Sequence, residues 1–494
     1  MTTEPVLKMG WAETDITPSK PVAIAGNFGL RVSEGVADPL NVTVWAVESG
    51  GDQAIFVSCD LVVISDELRG RVRSKLTDEA TGIDPTKLIL HATHTHTAPE
   101  IRIYPELYSE SGAQYIGVNR DQLNVDLMTV GEYLDFAAER IASAVNQAWN
   151  VRAPGGIGFG MGFVVAGRNR IWVDAEGKSA MQGSLNDATK DGFRHIEGYE
   201  DHELNVITVY DANSRLTGLV VNFACTAQVP GDKSPHLISA DVWCEAREEL
   251  KKRFGGDLHI LPQVSAAGEQ TGHTPYNKIA EKRMLQLMGK TKRQDVANRL
   301  ADEIERLLPI IGKEIHQSVD LRHHVETVPI TAYRITEDDV RFAQEQAEQF
   351  QNKHRQEKEK LEQNPQLQQT PRWHEAMSTA YHRMHFQLRV VNRFASQSDN
   401  PTLLAEVHVL RMGEMLIATF PFEYYLDYGV QIKVRSPATQ TFLVELAGGG
   451  TYVPSPRALL GSGYGATPAS NRVGAEGGQQ LAEYIVQTMR KVWQ

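Results

Sequence analysis

Several absences narrow the class of this 494-residue chain before any motif is considered. Cysteine is scarce: Cys59, Cys225 and Cys244 are too few to staple a chain of this length, and their spacing matches no zinc-finger pattern. The simplest compartment for such a chain is a reducing one, the cytoplasm. No apolar run approaches the roughly 20 residues that cross a bilayer. The opening Met-Thr-Thr-Glu-Pro-Val-Leu-Lys-Met also lacks the charged start and apolar centre of a signal peptide. Basic residues are in deficit, 50 against 62 acidic for a net charge of −12, which excludes the basic face of a nucleic-acid binder. The same deficit offers no basic patch to anionic membranes. Internal repeats are absent too.

What is present describes an ordinary globular protein, with 41% hydrophobic and 23% charged residues and enough chain to bury a large core. Asn41 to Val47 and Gln53 to Cys59 read as strands, Glu67 to Leu76 as a helix, and Lys87 to Leu90 as the next strand. That succession predicts an α/β fold with a largely parallel or mixed sheet flanked by helices. An amphipathic helix follows over 131–150, strands over 203–210 and 217–224, and helices over 242–254 and 292–308. The stretch 335–392 differs, being dense in Glu, Gln, Lys and Arg and broken near Asn364-Pro365. It reads as a helical hairpin projecting from the body: a solvated excursion, a substrate lid, or an arm through which a homo-oligomer forms. Strand character resumes at Leu404 to Val409 and Met415 to Phe420. The hairpin is therefore expected to be an insertion within one catalytic unit spanning 1–494.

The chemistry begins at Leu90-His-Ala-Thr-His-Thr-His-Thr-Ala-Pro99, where an apolar strand runs into a polar end. If the strand continues, His94 and His96 share one face, because side chains two apart point the same way. Two imidazoles at that spacing start a metal site, but a catalytic zinc takes three or four protein ligands and keeps a position for water. The next candidate is Glu423, in Phe420-Pro-Phe-Glu423 just past a second apolar strand. Asp60 also falls at a strand's carboxyl end, where ligands gather in such sheets.

The order of these motifs resembles the neutral, non-lysosomal ceramidase-like zinc hydrolases over nearly the whole chain. Gly10-Trp-Ala-Glu-Thr-Asp-Ile-Thr-Pro18 is similar to that family's opening signature, and Thr93-His-Thr-His-Thr-Ala-Pro99 to its His-x-His motif. Ala266-Ala-Gly-Glu-Gln-Thr-Gly272 resembles its Gly-Asp-x-Ser-Pro loop, and Phe420-Pro-Phe-Glu423 its metal glutamate. Tyr452 and Tyr464, twelve residues apart, resemble its closing tyrosine pair. The resemblance implies the fold of the family's catalytic domain and Zn²⁺, or another divalent metal, held by His94, His96, Glu423 and Tyr452. It further implies that Tyr464 donates to a developing oxyanion and that Arg170, in Gly167-Arg-Asn-Arg170, anchors or polarises the substrate.

The chain also departs from the family. Where the family places a third metal histidine, this chain reads Phe223-Ala-Cys-Thr226, and threonine is a poor zinc ligand. Cys225 should face away from position 226 on a strand, so His236 and Asp241 are the candidate replacements. Glu269, Thr271 and Gly272 depart from the family's loop, and the chain leaves no room for the family's C-terminal immunoglobulin-like domain. The expected reaction is therefore metal-dependent hydrolysis of an amide in a small polar molecule. A glycoside or cyclitol derivative, chelated through a diol in a pocket with Arg170, Gln228, Gln270 and Thr271, is the enzymatic alternative. A scaffold that has lost its metal and only binds is the other.

Overall fold

From Val42 to Val47 every side chain except Thr43 is apolar, and a strand with two apolar faces needs a covering layer on each side. Both layers are present in the computed structural model, which describes residues 5–76, 82–108 and 114–494. Residues 1–4, which open the N-terminal stretch read above, and residues 77–81 and 109–113 lie outside the described residues.

The large sheet contains β1 (Lys8–Asp15), β2 (Asn41–Ser49), β3 (Asp52–Cys59), β4 (Leu88–Ala92), β5 (Ala153–Phe163), β6 (Glu203–Asp211), β7 (Leu216–Phe223) and β8 (His259–Val264). Their order across the sheet is β8-β7-β6-β5-β1-β2-β3-β4. The sheet is mixed: β7/β8 and β3/β4 run parallel at its two edges, and every other neighbouring pair is antiparallel. The parallel character expected from the strand–helix–strand succession is confined to those edges. One reason was legible in the sequence: Gly50 and Gly51 take φ of 63° and 88°, the left-handed pair that closes a two-residue hairpin between β2 and β3.

A second sheet holds β9 (Leu321–Thr331), β10 (Thr402–Met412), β11 (Met415–Thr419) and β13 (Gln440–Val444), with the short β12 (Glu423–Tyr424) between β11 and β13 in sequence. The two sheets pack face to face, Trp45, Phe56, Ile207 and Leu261 against Leu410, Ile417 and Phe442. The outer face of the large sheet is covered by α1 (Asp66–Lys75) and α2 (Val130–Asn150) at one end and by α3 (Val242–Phe254) and α4 (Lys292–Ile311) at the other. The second sheet is covered by α7 (Leu426–Arg435) and α8 (Gly474–Trp493). The result is a helix–sheet–sheet–helix sandwich.

The hairpin forms where the charged stretch was read, as α5 (Glu337–Gln363) and α6 (Glu375–Ser396), broken at Asn364 and Pro365. It does not project freely. Its second helix lies back on the body: Ser378 Oγ accepts the Leu30 N–H at 2.9 Å, Arg389 pairs with Glu106 at 2.8 Å and Arg393 donates to the Asn471 carbonyl at 3.4 Å.

The loops that follow the parallel strands meet at one end of the sandwich. Thr93 N–H bonds the Cys59 carbonyl at 3.0 Å, Ala227 N–H the Thr93 carbonyl at 3.0 Å, Ala92 N–H the Leu446 carbonyl at 3.2 Å, and Gly268 N–H the Tyr424 carbonyl at 3.1 Å. Asp60 belongs to this framework and not to a metal site. Fully buried, its carboxylate accepts from Arg247 at 2.7 and 3.1 Å, from the Asn41 N–H at 2.9 Å and from the Thr93 hydroxyl at 3.3 Å. Replacing Asp60 with alanine leaves the Arg247 charge buried without its partner. Chemical denaturation should show a loss of about 3–5 kcal/mol; a loss below about 1 kcal/mol, the range of exposed pairs, would refute the structural role.

Candidate active site

β4 ends at Ala92, so the histidine pair does not sit on a strand. The chain instead leaves the sheet at Thr93 and turns through His94 with φ of 68°, a left-handed conformation that L-residues with a Cβ avoid. The rings still converge, with centroids 4.9 Å apart and Nε2 atoms 3.3 Å apart, because the turn replaces strand alternation. Such a conformation costs on the order of 1–3 kcal/mol and persists only where its surroundings impose it. Here the His94 N–H is held by the Leu61 carbonyl at 2.9 Å and its Nδ1 by the Val62 carbonyl at 2.7 Å. His91, on β4 three residues earlier, is a core histidine: burial alone pushes its imidazole down to about 3.

Since a carbonyl can only accept, His94 Nδ1 carries the proton and Nε2 presents a lone pair. That Nε2 lies 3.6 Å from Glu423 Oε2. Glu423 is placed by β12, which pairs in parallel with β14 (Tyr452–Val453) so that Glu423 stands directly opposite Tyr452. The Tyr452 hydroxyl bonds Glu423 and also accepts from Arg170 Nη2 at 3.0 Å. Burial holds both histidines below their usual range, most strongly His96, where neighbouring His94, Arg31 and Arg170 add to the effect. Both imidazoles are therefore neutral at pH 7.

Two ligands on a tetrahedral ion with bonds of about 2.0–2.1 Å stand roughly 3.3–3.4 Å apart, close to the 3.3 and 3.6 Å separations about His94 Nε2. These two separations are of the size that two ligands of one divalent metal take, and imidazole nitrogen and carboxylate oxygen are donors such a metal accepts. Among the described residues no three His, Cys, Asp or Glu side chains are already disposed as a cage. The candidate set therefore depends on the Tyr452 phenol as well as on His94, His96 and Glu423.

The expected replacement ligands stand elsewhere. His236 Nε2 lies 2.5 Å from Glu375 Oε1 at the start of α6, turned toward the hairpin. Asp241 caps α3, accepting from Val242 and Val229 N–H groups at 2.7 and 3.0 Å, and its other oxygen pairs with Arg293. Neither is available. Thr226 is 4% exposed and its buried hydroxyl has no hydrogen-bond partner, whereas the side-chain amide of Gln228 bonds His96 Nε2. Gln228 is thus the side chain that approaches the histidine pair from this loop. Gln270 donates to the Tyr199 carbonyl at 3.2 Å, and Thr271 pairs with Arg168 in a short ladder that aims Arg170.

Arg170 is fixed by the Gly268 carbonyl at 2.8 Å and lies 5.4 Å from the Tyr452 ring centroid. Burial opposes its charge, and Tyr452 and Glu423 outweigh that opposition. Gly268 has no alternative here, since a Cβ would come within 2.6 Å of the Glu423 carbonyl oxygen. Tyr464 meets Tyr452 edge to face at 5.7 Å. Glu269 takes no part in the ligand set: both its oxygens lie 3.0 Å from the Leu426 N–H at the start of α7.

The sequence reading missed Arg31, which lies beneath His96 and donates to its carbonyl at 2.8 Å, and Glu445, which accepts from Ala267 and Tyr424 N–H groups at 3.0 Å each. It also missed the aromatic residues around Tyr464. No motif surrounds Arg31 or Phe28; only the glycines beside them, Gly26 and Gly29, mark a close approach. A Cβ at Gly26 would strike the His96 ring at 2.5 Å.

No protein-family model matches the chain, and no curated protein matches it by sequence. Solved structures do match. A neutral ceramidase from Pseudomonas aeruginosa is similar at a TM-score of 0.64 and 15% identity, over 99% of this chain and 74% of the other. A ceramidase complexed with C2 is similar at a TM-score of 0.65 and 16% identity, over 99% and 76%. The fold is ceramidase-like along its length.

Burial pushes the Glu269 carboxyl up to about 8, so the folded protein holds a proton that the unfolded chain releases near the ordinary carboxylate value. A raised folded value contributes stability that is complete below that ordinary value and is lost as pH rises through about 8. Between pH 5 and 8 the thermal midpoint of the native protein should therefore fall relative to that of Glu269→Gln. Parallel curves over this window would show that Glu269 is ionised throughout.

Proposed function

We propose that this protein is a metal-dependent hydrolase of the ceramidase structural type that cleaves an amide bond in a small polar substrate. One observation supports it above all: His94 Nε2, its proton locked on Nδ1, stands 3.3 Å from His96 Nε2 and 3.6 Å from Glu423 Oε2. The ceramidase-like fold around these residues adds support, as does the retention of both closing tyrosines.

In this reading His94, His96 and Glu423 hold the metal with Tyr452 beside them. When bound, a divalent ion lowers the pKa of its water to about 7 and polarises a carbonyl. The rest falls to the chain itself. Arg170, anchored on the Gly268 carbonyl, orients the Tyr452 phenol and presents a fixed positive charge toward the substrate oxygen. Tyr464, whose hydroxyl burial keeps protonated, supplies an O–H donor to negative charge as it develops. Glu423 accepts from Tyr452 and carries the negative charge that balances Arg170.

The non-enzymatic alternative draws on Gln228, whose amide engages the same His96 Nε2 that a metal requires. Kinetics separate the two readings. With small N-acyl compounds and zinc-loaded protein, Tyr464→Phe should lower kcat by about 10²–10³-fold with little change in KM, and Glu423→Gln should abolish turnover. Wild-type rates in both variants would overturn the site. Turnover of glycosides but not of N-acyl compounds would move the reaction to the sugar or cyclitol class.

A further inference from the structure

The aromatic surroundings of Tyr464 are built in part by the helical hairpin. Phe28 and Phe386 flank the Tyr464 ring, Phe386 stacked on it at 6.3 Å and 14° and Phe28 edge-on at 6.5 Å. The two phenylalanines meet edge to face at 5.2 Å. Helix α6 fixes this arrangement from end to end. His382 Nδ1 bonds the Phe28 carbonyl at 2.9 Å, and Ser378 takes the Leu30 N–H. Thr379 lies so close to Gly29 that a Cβ there would come within 2.7 Å of its hydroxyl.

At the outer side of this aromatic cluster stands Arg383. Its guanidinium carbon lies 4.7 Å from the Phe28 ring centroid and 5.6 Å from that of Phe350, it is exposed, and among the described residues it has no carboxylate partner. A guanidinium seated on aromatic faces keeps its N–H fork free for a planar anion. Nearer the histidines, Arg31 and Arg170 also have no carboxylate within ion-pair distance among the described residues, and Arg102 is matched by Glu100 at 2.7 Å. Among the described residues, the carboxylates whose charge reaches Arg31, Arg102 and Arg170 are Glu375, Glu100 and Glu423, so with Arg383 the site holds one more guanidinium than carboxylate. This local cationic surplus sits in a chain whose net charge is −12. A cleft of one sign concentrates ligands of the other.

We propose that α6 is a wall of the catalytic pocket, with Phe28 and Phe386 holding a compact aromatic or apolar group and Arg383 binding a carboxylate attached to it. The substrate class is then an anionic N-acyl compound, such as an N-acylated amino acid with an aromatic side chain. This inference rests on the hydrolase reading for the bond that breaks, but not for the anion that binds.

The test compares N-acetylphenylalanine with N-acetylphenethylamine, its counterpart lacking the carboxylate, using zinc-loaded full-length protein. Wild type should favour the anionic member by about tenfold or more in kcat/KM, a typical gain from one charge-assisted pair. Arg383→Ala should collapse that ratio through KM with kcat kept, Arg383→Lys should restore part of it, and Phe386→Ala should raise KM for both compounds. An unchanged ratio in Arg383→Ala, or a wild-type preference for the neutral compound, overturns the proposal and leaves the hydrolase reading standing. If wild type cleaves neither compound, the hydrolase reading loses its support, and calorimetric binding of N-acetylphenylalanine still decides. Binding about tenfold weaker in Arg383→Ala upholds the anion site; equal binding removes it.

Discussion

The left-handed turn at His94 is the constraint on which the rest of the site depends. A strand carrying both histidines would have spread them along its length; the turn folds them back until their Nε2 atoms are 3.3 Å apart. The loops after β3 impose the turn through the Leu61 and Val62 carbonyls, and Asp60 ties those loops to Arg247 in α3. The sandwich therefore does more than carry the site. Its parallel edge pairs bring six loop segments to one end, and the hydrogen bonds between those loops set the conformation of a single residue.

Around that turn the protein keeps charge out of some groups and leaves it uncompensated in others. Burial makes the two histidines neutral and holds the protons of Glu269, Glu445 and Tyr452, while the guanidinium groups of Arg31 and Arg170 remain charged with no carboxylate within ion-pair distance among the described residues. Lone pairs facing inward suit an electron-poor guest such as a divalent cation, while the guanidinium groups beside them suit the oxygen atoms of a substrate. The insertion extends the same character outward, since α6 offers a free guanidinium where a lipid-binding wall would offer apolar surface.

The individual elements were legible because their signals are local. The helix over 242–254 falls where its apolar spacing places it, and the strands at 41–49, 52–59 and 203–211 follow their β-branched runs. The pairing was less legible. Of the two expectations, largely parallel or mixed, the mixed sheet is the one found: the strand–helix–strand unit gives parallel pairs only at the sheet edges, and the Gly50-Gly51 hairpin pairs its neighbours antiparallel. Of the site, His94, His96, Glu423, Tyr452, Tyr464 and Arg170 do converge, yet His236 and Asp241 do not. Nearness in sequence could not reveal that Glu375 and Arg293, far along the chain, hold these two side chains. Nor could composition show that the charged hairpin turns one face onto Tyr464, because Phe28 and Phe386 are 358 positions apart in the chain and meet only in the fold.

The most direct test of a metal centre at this turn is elemental mass spectrometry of the purified protein after zinc loading and dialysis, beside a His94→Ala/His96→Ala variant shown to be folded. A catalytic site of this donor set predicts about one zinc per chain in the native protein and essentially none in the variant. Equal zinc in both, or none in either, would contradict it.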